Sequence, residues 1–186
     1  MLVTVSGPSG AGKSTLIRYL SSVHRTKALP SVTTRAQRAD DSEGGYYRFV
    51  SPLEYQGLVA RNELVLDTSF GGNRYGTLRS DWGAAISSPE IWTADLTACS
   101  VLESYTRSLG PTLAVALSVP KRICSERLVA RGDSKSQIVS RLDAWARELY
   151  DCEALAASGC PALFLDGRLS TRELALKVLG ACESHD

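Results

Sequence analysis

The chain opens on a short apolar run rich in β-branched residues, "LVTVS" at 2–6, as a buried strand would. The same kind of run returns at "IWTADL" (91–96), "TLAVALSV" (112–119) and "ALFLD" (162–166). Between these runs the periodicity is helical. Leu16, Ile17 and Leu20 predict a helix over 13–23, and similar patterns occupy roughly 97–108, 121–131, 136–158 and 170–182. Alternation of this kind predicts an α/β fold, with a parallel sheet flanked by helices on both faces. Residues 30–80 break the rhythm. They are polar, with turns at "DSEGG" and "FGGN" and short β-like pieces at "YYRFV" and "ELVLD". This reads as a lobe inserted over the C-terminal edge of the sheet, where such folds bind ligands. "RGDSKSQ" at 131–137 is a polar break between two helices, suited to a mobile lid. The expected organisation is one domain, with a core from 1–29, 81–130 and 159–186, a lobe over about 30–80 and a lid over about 131–145. Repeats and low-complexity tracts are absent from the sequence.

The first strand leads into "SGPSGAGKST" at 6–15. Gly7, Gly12, Lys13 and Ser14 fit G-x-x-x-x-G-K-[ST], the phosphate-binding P-loop pattern, in its strand–loop–helix context. Glycines let the backbone turn tightly and direct successive N–H groups to one point. The helix N-terminus adds partial positive charge there. Ser9, Gly10, Ala11 and Thr15 complete the expected ATP-binding set. Lys13 would reach the β- and γ-phosphates, and the Ser14 hydroxyl would ligate Mg²⁺.

Composition narrows the class. The chain has 186 residues, 44% hydrophobic and 22% charged, as ordinary globular domains have. A net charge of +1 gives no bulk electrostatic case for nucleic acid or a membrane surface, so phosphate binding must come from local arginines. No apolar run approaches the ~18 residues of a membrane span. The first strand begins at residue 2, and the expectation is a cytoplasmic protein without a signal peptide. Five cysteines (Cys99, Cys124, Cys152, Cys160, Cys182), widely spaced and without a C-x-x-C pair, are expected to be reduced thiols. His24 and His185 are too few for a histidine metal site, and Trp82, Trp92 and Trp145 read as packing residues.

Further along, "SVTTRAQR" (31–38), "YRFVS" (47–51), "GNRYGT" (72–77), a strand ending in Asp95 and "RLVARGDSKSQIVSRL" (127–142) join the P-loop in a fixed order. Together they resemble the guanylate kinase family over nearly the whole chain. The resemblance implies a P-loop NTPase fold with an inserted monophosphate-binding lobe and a lid. It implies that Arg35 and Arg38 grip the acceptor phosphate, since guanidinium forks match phosphate bidentately. Tyr47 and Tyr75 would donate to the same phosphate, and Ser31 and Thr77 would bond the base. Asp95 would stand near the acceptor, with Thr93 where a first aspartate usually is. Arg131 and Arg141 match the lid arginines that close on the transferring group. Lys13, Arg35, Arg131 and Arg141 form the expected catalytic set.

At one position the chain departs from the family. A glutamate that accepts from guanine N1–H and the 2-amino group is expected before "GN-x-Y-G", and Leu66 stands there. Strand neighbours point to opposite faces, so Asp67 replaces it only if a bulge turns Asp67 inward. Asp166, in "FLDGRL", is a weak substitute for an asparagine expected at the adenine end. The expected reaction is ATP-dependent phosphorylation of GMP or dGMP, with Mg²⁺, by a monomer or small homo-oligomer. Alternatives are another or modified nucleoside monophosphate, ribose 1,5-bisphosphate, or a non-catalytic interaction module with this fold.

Overall fold

The computed structural model describes residues 1–37, 41, 46–95, 112–157 and 162–184, with the backbone alone at 112 and 151–157. In chain order the elements are β1 (Leu2–Ser6), α1 (Lys13–Val23), β2 (Lys27–Ala28), β3 (Ser31–Thr33), β4 (Tyr47–Phe49), α2 (Pro52–Ala60), β5 (Leu64–Phe70), β6 (Asn73–Leu78), α3 (Arg79–Ile86), β7 (Trp92–Asp95), β8 (Thr112–Ser118), α4 (Lys121–Ala130), α5 (Lys135–Ala157), β9 (Ala162–Asp166) and α6 (Thr171–Glu183). The helix expected over 97–108 lies outside the described residues.

Two sheets result. The larger runs β2-β7-β1-β8-β9. Every pair in it is parallel, with Val3 beside Thr93 on one flank and Leu113 on the other. The smaller runs β4-β3-β6-β5 and is mixed: β3 and β4 are parallel, while β6 is antiparallel to both β3 and β5. The observed strands and helices follow the periodicity closely. Elements not anticipated are the strands β2, β3 and β6 and the helices α2 and α3. For α2 the signal was present: Ser51 and Glu54 form a reciprocal capping box, and Pro52 takes the first helical position.

Strand alternation divides the core into two unequal faces. Val3 and Val5 of β1 and Leu113, Val115 and Leu117 of β8 pack with Leu16, Ile17 and Leu20 of α1 and with Leu174 and Val178 of α6. On the opposite face the same strands present Leu2, Ala114 and Ala116, and β7 presents Ala94. Small residues there leave room for a large partner. Trp82 of α3, only 1% exposed, fills it together with Val65 and Leu66 of β5. This face therefore joins the lobe to the parallel sheet by apolar packing. Cys124 and Cys182 are buried thiols, while the side chains of Cys99, Cys152 and Cys160 lie outside the described residues. Among the described residues, no helix is long and apolar enough to cross a membrane.

Trp82→Ala would empty the largest volume on the second face. It should lower unfolding free energy by about 3–5 kcal/mol in a urea titration. A loss below about 1 kcal/mol would show that the lobe does not depend on this contact.

Candidate active site

The loop after β1 has the backbone the motif requires. Gly7 and Gly10 have φ of +133° and +87°. A Cβ at Gly7 would lie 2.5 Å from the Leu117 carbonyl oxygen, and one at Gly10 would lie 2.8 Å from that of Cys124. Both positions exclude a side chain by conformation and by space. Helix α1 then begins at Lys13 with no side-chain cap and no acidic residue in its first turn. Its leading N–H groups and partial positive charge are left for an anion. Lys13 Nζ donates across the loop to the Gly7 carbonyl at 2.7 Å and to that of Pro8 at 3.4 Å.

The loop is braced from behind by residues that motif reading did not single out. Arg127 Nη1 donates to the carbonyls of Gly10 (3.2 Å) and Ala11 (3.1 Å), and Nη2 to that of Gly167 (2.9 Å). Glu148 accepts the Ser9 N–H at 3.1 Å. The available signal for both was helical spacing: Arg127 is one turn before Arg131, and Glu148 two turns after Arg141.

Facing the loop is the smaller sheet. Arg35 is only 6% exposed. Its Nη1 and Nη2 meet the two Asp41 carboxylate oxygens at 2.7 and 2.8 Å. Its guanidinium carbon stands 4.5 Å from the Tyr47 ring centroid and 5.1 Å from that of Phe49. Burial is the largest influence on Arg35 and lowers its pKa. The Asp41 hydrogen bond and charge outweigh it, so the net shift is upward. Burial, then Asp95, raises the Tyr47 phenol well above its usual value, so it stays a neutral donor. The same hydroxyl lies against Ser14. Asp95 ends β7 beside the loop, and its backbone N–H donates to the Tyr46 hydroxyl. Burial raises the Asp95 carboxyl, opposed by Lys13 and by a hydrogen bond with Ser14. Asp95 Oδ1 has no hydrogen-bond partner among the described residues.

The lid arginines converge on one carboxylate. Arg131, capping α4, donates from Nε to Asp133 at 2.9 Å, and Arg141 Nε stands 3.2 Å from the same side chain. Arg141 also reaches the Ser9 hydroxyl at 3.4 Å, and its guanidinium carbon is 5.5 Å from the Phe70 ring centroid.

A cavity of about 1020 Å³ connects these groups. This is at the top of the about 300–1,000 Å³ range of ligand pockets. Its wall includes Ser9, Gly10, Ala11, Gly12, Lys13, Ser14 and Thr15 from the loop. Arg35, Tyr47 and Tyr75 enter from the lobe, Asp95 from β7, and Arg131 and Arg141 from the lid. Trp92, read as packing alone, packs against the second core face and also lines the cavity. Trp82 and Trp145 are packing residues, Trp145 Nε1 donating to the Val119 carbonyl at 3.0 Å. Arg38 lies outside the described residues.

Four expected acceptor residues are not on the cavity wall. Ser31 donates to the Gly76 carbonyl at 3.3 Å, and Thr77 is buried in β6. Leu66, 4% exposed, packs with Trp82 in the core and so forms no cavity floor. The β5–β6 register does shift between Leu64 and Leu66, yet Asp67 is not turned inward. Its carboxylate accepts from the Tyr55 hydroxyl at 2.9 Å and from Arg74 Nε at 3.1 Å on the opposite face. The irregularity falls before Leu66, so alternation past it is undisturbed. Asp166, at the suggested adenine end, is held by Arg168 instead, which pulls its carboxyl down to about 2.

Leu66→Glu would bury a carboxylate among Trp82, Val65 and Ala94. It should cost roughly 3–5 kcal/mol of stability without sharpening selection of a guanine acceptor. Asp67→Ala should cost about 1 kcal/mol and leave the acceptor KM unchanged. Chemical denaturation and acceptor kinetics on the two variants check this. A Leu66→Glu protein that folds normally and discriminates better would show that position 66 reaches the base.

Comparison with known proteins places the chain. The guanylate kinase family model matches residues 1–152. The chain is 34% identical over 144 residues to the guanylate kinase of Thermobifida fusca, covering 75% of this chain and 72% of that one. A shorter match, 47% identical over 79 residues, relates it to the guanylate kinase of Streptomyces kasugaensis, covering 42% of this chain and 38% of that one. The crystal structure of guanylate kinase from Anaplasma phagocytophilum has the same fold, with a TM-score of 0.72 at 21% identity over 100% of this chain and 86% of the other. A parallel sheet bearing a P-loop, a mixed-sheet lobe facing it and a family match across most of the sequence lead to one conclusion: this chain belongs to the guanylate kinase family.

Proposed function

We propose that this chain transfers the γ-phosphoryl group of ATP to GMP or dGMP, yielding ADP and the guanosine diphosphate. One observation carries the reading. The P-loop residues Lys13 and Ser14 and the acceptor-side residues Arg35, Tyr47 and Tyr75 open into a single cavity. A phosphoryl donor and a phosphate acceptor can thus meet there in line, which is most of what this chemistry requires of a protein.

The geometry supports a role for each residue. The α1 N-terminus and loop N–H groups hold the triphosphate. Lys13 leaves the Gly7 and Pro8 carbonyls for the β- and γ-oxygens, where its charge stabilises the transferring group. Arg35 exchanges Asp41 for the acceptor phosphate, because both ligands offer a pair of oxygens to the same fork. Tyr47 and Tyr75 donate hydroxyls beside it. Arg131 and Arg141 exchange Asp133 for phosphoryl oxygens as the lid closes and water is excluded. The Ser14 hydroxyl and the partly unsatisfied Asp95 carboxylate are hard oxygen donors that fit Mg²⁺ arriving with ATP. Bound there, the ion would neutralise charge on the β- and γ-oxygens. Among the described residues, no cluster of three or more His, Cys, Asp or Glu forms a metal site independent of the nucleotide. The buried thiols of Cys124 and Cys182 suit a reducing cytoplasm, where ATP and monophosphates are also available.

An ADP-release assay across the common ribo- and deoxyribonucleoside monophosphates should give the highest kcat/KM with GMP or dGMP. Turnover should stop when EDTA removes Mg²⁺. Equal rates with all acceptors, or none with guanosine monophosphates, would defeat the assignment. Lys13→Ala should lower kcat by several orders of magnitude in a protein that still folds. Arg35→Ala should raise the acceptor KM at least tenfold while leaving the ATP KM within a factor of about three. An effect confined to ATP would place Arg35 on the wrong substrate.

A further inference from the structure

A buried carboxylate with no role in the steps above sits directly behind the P-loop. Glu148, on α5, is 7% exposed. Its Oε2 accepts the Ser9 N–H at 3.1 Å, and its Oε1 has no hydrogen-bond partner among the described residues. Burial raises its pKa, and the nearby charges of Lys13 and Arg141 act against that. Two turns earlier on the same helix face, Arg141 Nη1 donates to the Ser9 hydroxyl at 3.4 Å. Helix α5 therefore holds one P-loop residue twice, by its main chain and by its side chain.

The contact pins a whole peptide plane. Ser9 N–H belongs to the Pro8–Ser9 peptide, whose carbonyl accepts the Ala11 N–H at 3.0 Å and the Lys13 ammonium at 3.4 Å. With the N–H fixed by Glu148, that carbonyl cannot rotate, and the turn that aims the following N–H groups is set. An apolar residue at 148 would leave no buried carboxylate oxygen without a partner, but it would take the acceptor from the Ser9 N–H. The carboxylate is explained by what it does to the loop.

We propose that Glu148 is a positioning residue for phosphoryl transfer, which fixes the Pro8–Ser9 peptide and thereby keeps the P-loop in register with the lid helix that carries Arg141. This rests on the kinase reading above. In the full chain, Glu148→Leu keeps similar volume and removes the acceptor, while Glu148→Gln keeps an acceptor oxygen and removes the charge. The leucine variant should lose at least tenfold in kcat and change the GMP KM less than threefold. Its Tm should be unchanged or higher, and amide exchange of residues 6–12 should quicken with and without ADP. The glutamine variant should retain kcat within threefold and exchange like the parent. A leucine variant as active as the parent, a kcat loss that merely follows a fall in Tm, or equal damage in both variants would overturn the proposal. If the leucine variant does not fold, the glutamine variant decides: tenfold loss overturns the proposal, and retained kcat with parental exchange supports it. Amide exchange does not depend on the acceptor. A parent protein inactive toward GMP would refute the kinase reading and leave this test of Glu148 standing.

Discussion

The structure depends on one constraint: the backbone between β1 and α1 must present N–H groups to an anion and still keep its shape without one. A loop with its donors turned outward has few internal bonds to hold it. Here much of the rigidity comes from helices outside the loop. Arg127 anchors the Gly10 and Ala11 carbonyls, Glu148 holds the Ser9 N–H, and Lys13 spans the Gly7 and Pro8 carbonyls. All three side chains are ionisable and partly buried, and a hydrogen bond with an ionised partner is stronger than a neutral one. Helices α4 and α5 are thus part of the phosphate site although neither contributes a motif glycine.

A second dependence links the lobe to the core. The sheet face carrying Ala94, Ala114 and Ala116 is shallow enough to receive Trp82 and Leu66. The lobe consequently rests on the parallel sheet through dispersion and apolar burial, which carry no fixed donor–acceptor direction. The polar groups of the proposed acceptor site, Arg35, Tyr47 and Tyr75, line the cavity instead. Leu66 belongs to the packing side. A polar reader of the base at that position would compete with the contact that seats the lobe.

The cations of the site share a further pattern. Arg35 is held by Asp41, and Arg131 and Arg141 both meet Asp133. Each carboxylate offers the paired oxygens a phosphate would, so the guanidinium groups are kept oriented, Arg35 and Arg141 at low exposure and Arg131 more exposed. On the proposed function, ligand binding would exchange one anion for another. This limits the desolvation penalty that bare buried arginines would carry.

Much of this was legible in the residues alone. β-branched runs separated by helical periods sufficed for the parallel α/β core, because a strand buried on both faces and a helix buried on one leave distinct patterns. The P-loop was legible because its glycines, lysine and serine lie within eight consecutive positions, and Lys13, Arg35, Tyr47, Tyr75, Arg131 and Arg141 do face one cavity. Short-range spacing could not settle the orientation of Leu66 and Asp67. That depended on where the β5 irregularity fell and on Tyr55 and Arg74, which are adjacent only after the lobe folds. Asp41, Asp133 and Glu148 were equally hidden. An acidic residue in a polar segment is ordinarily a solvated charge, and only tertiary structure sets these three against particular arginines or a particular N–H. Sequence determined the elements and the phosphate loop through local patterns of burial and backbone freedom. Tertiary structure decided which charges became partners, because pairing depends on distances that no local pattern encodes.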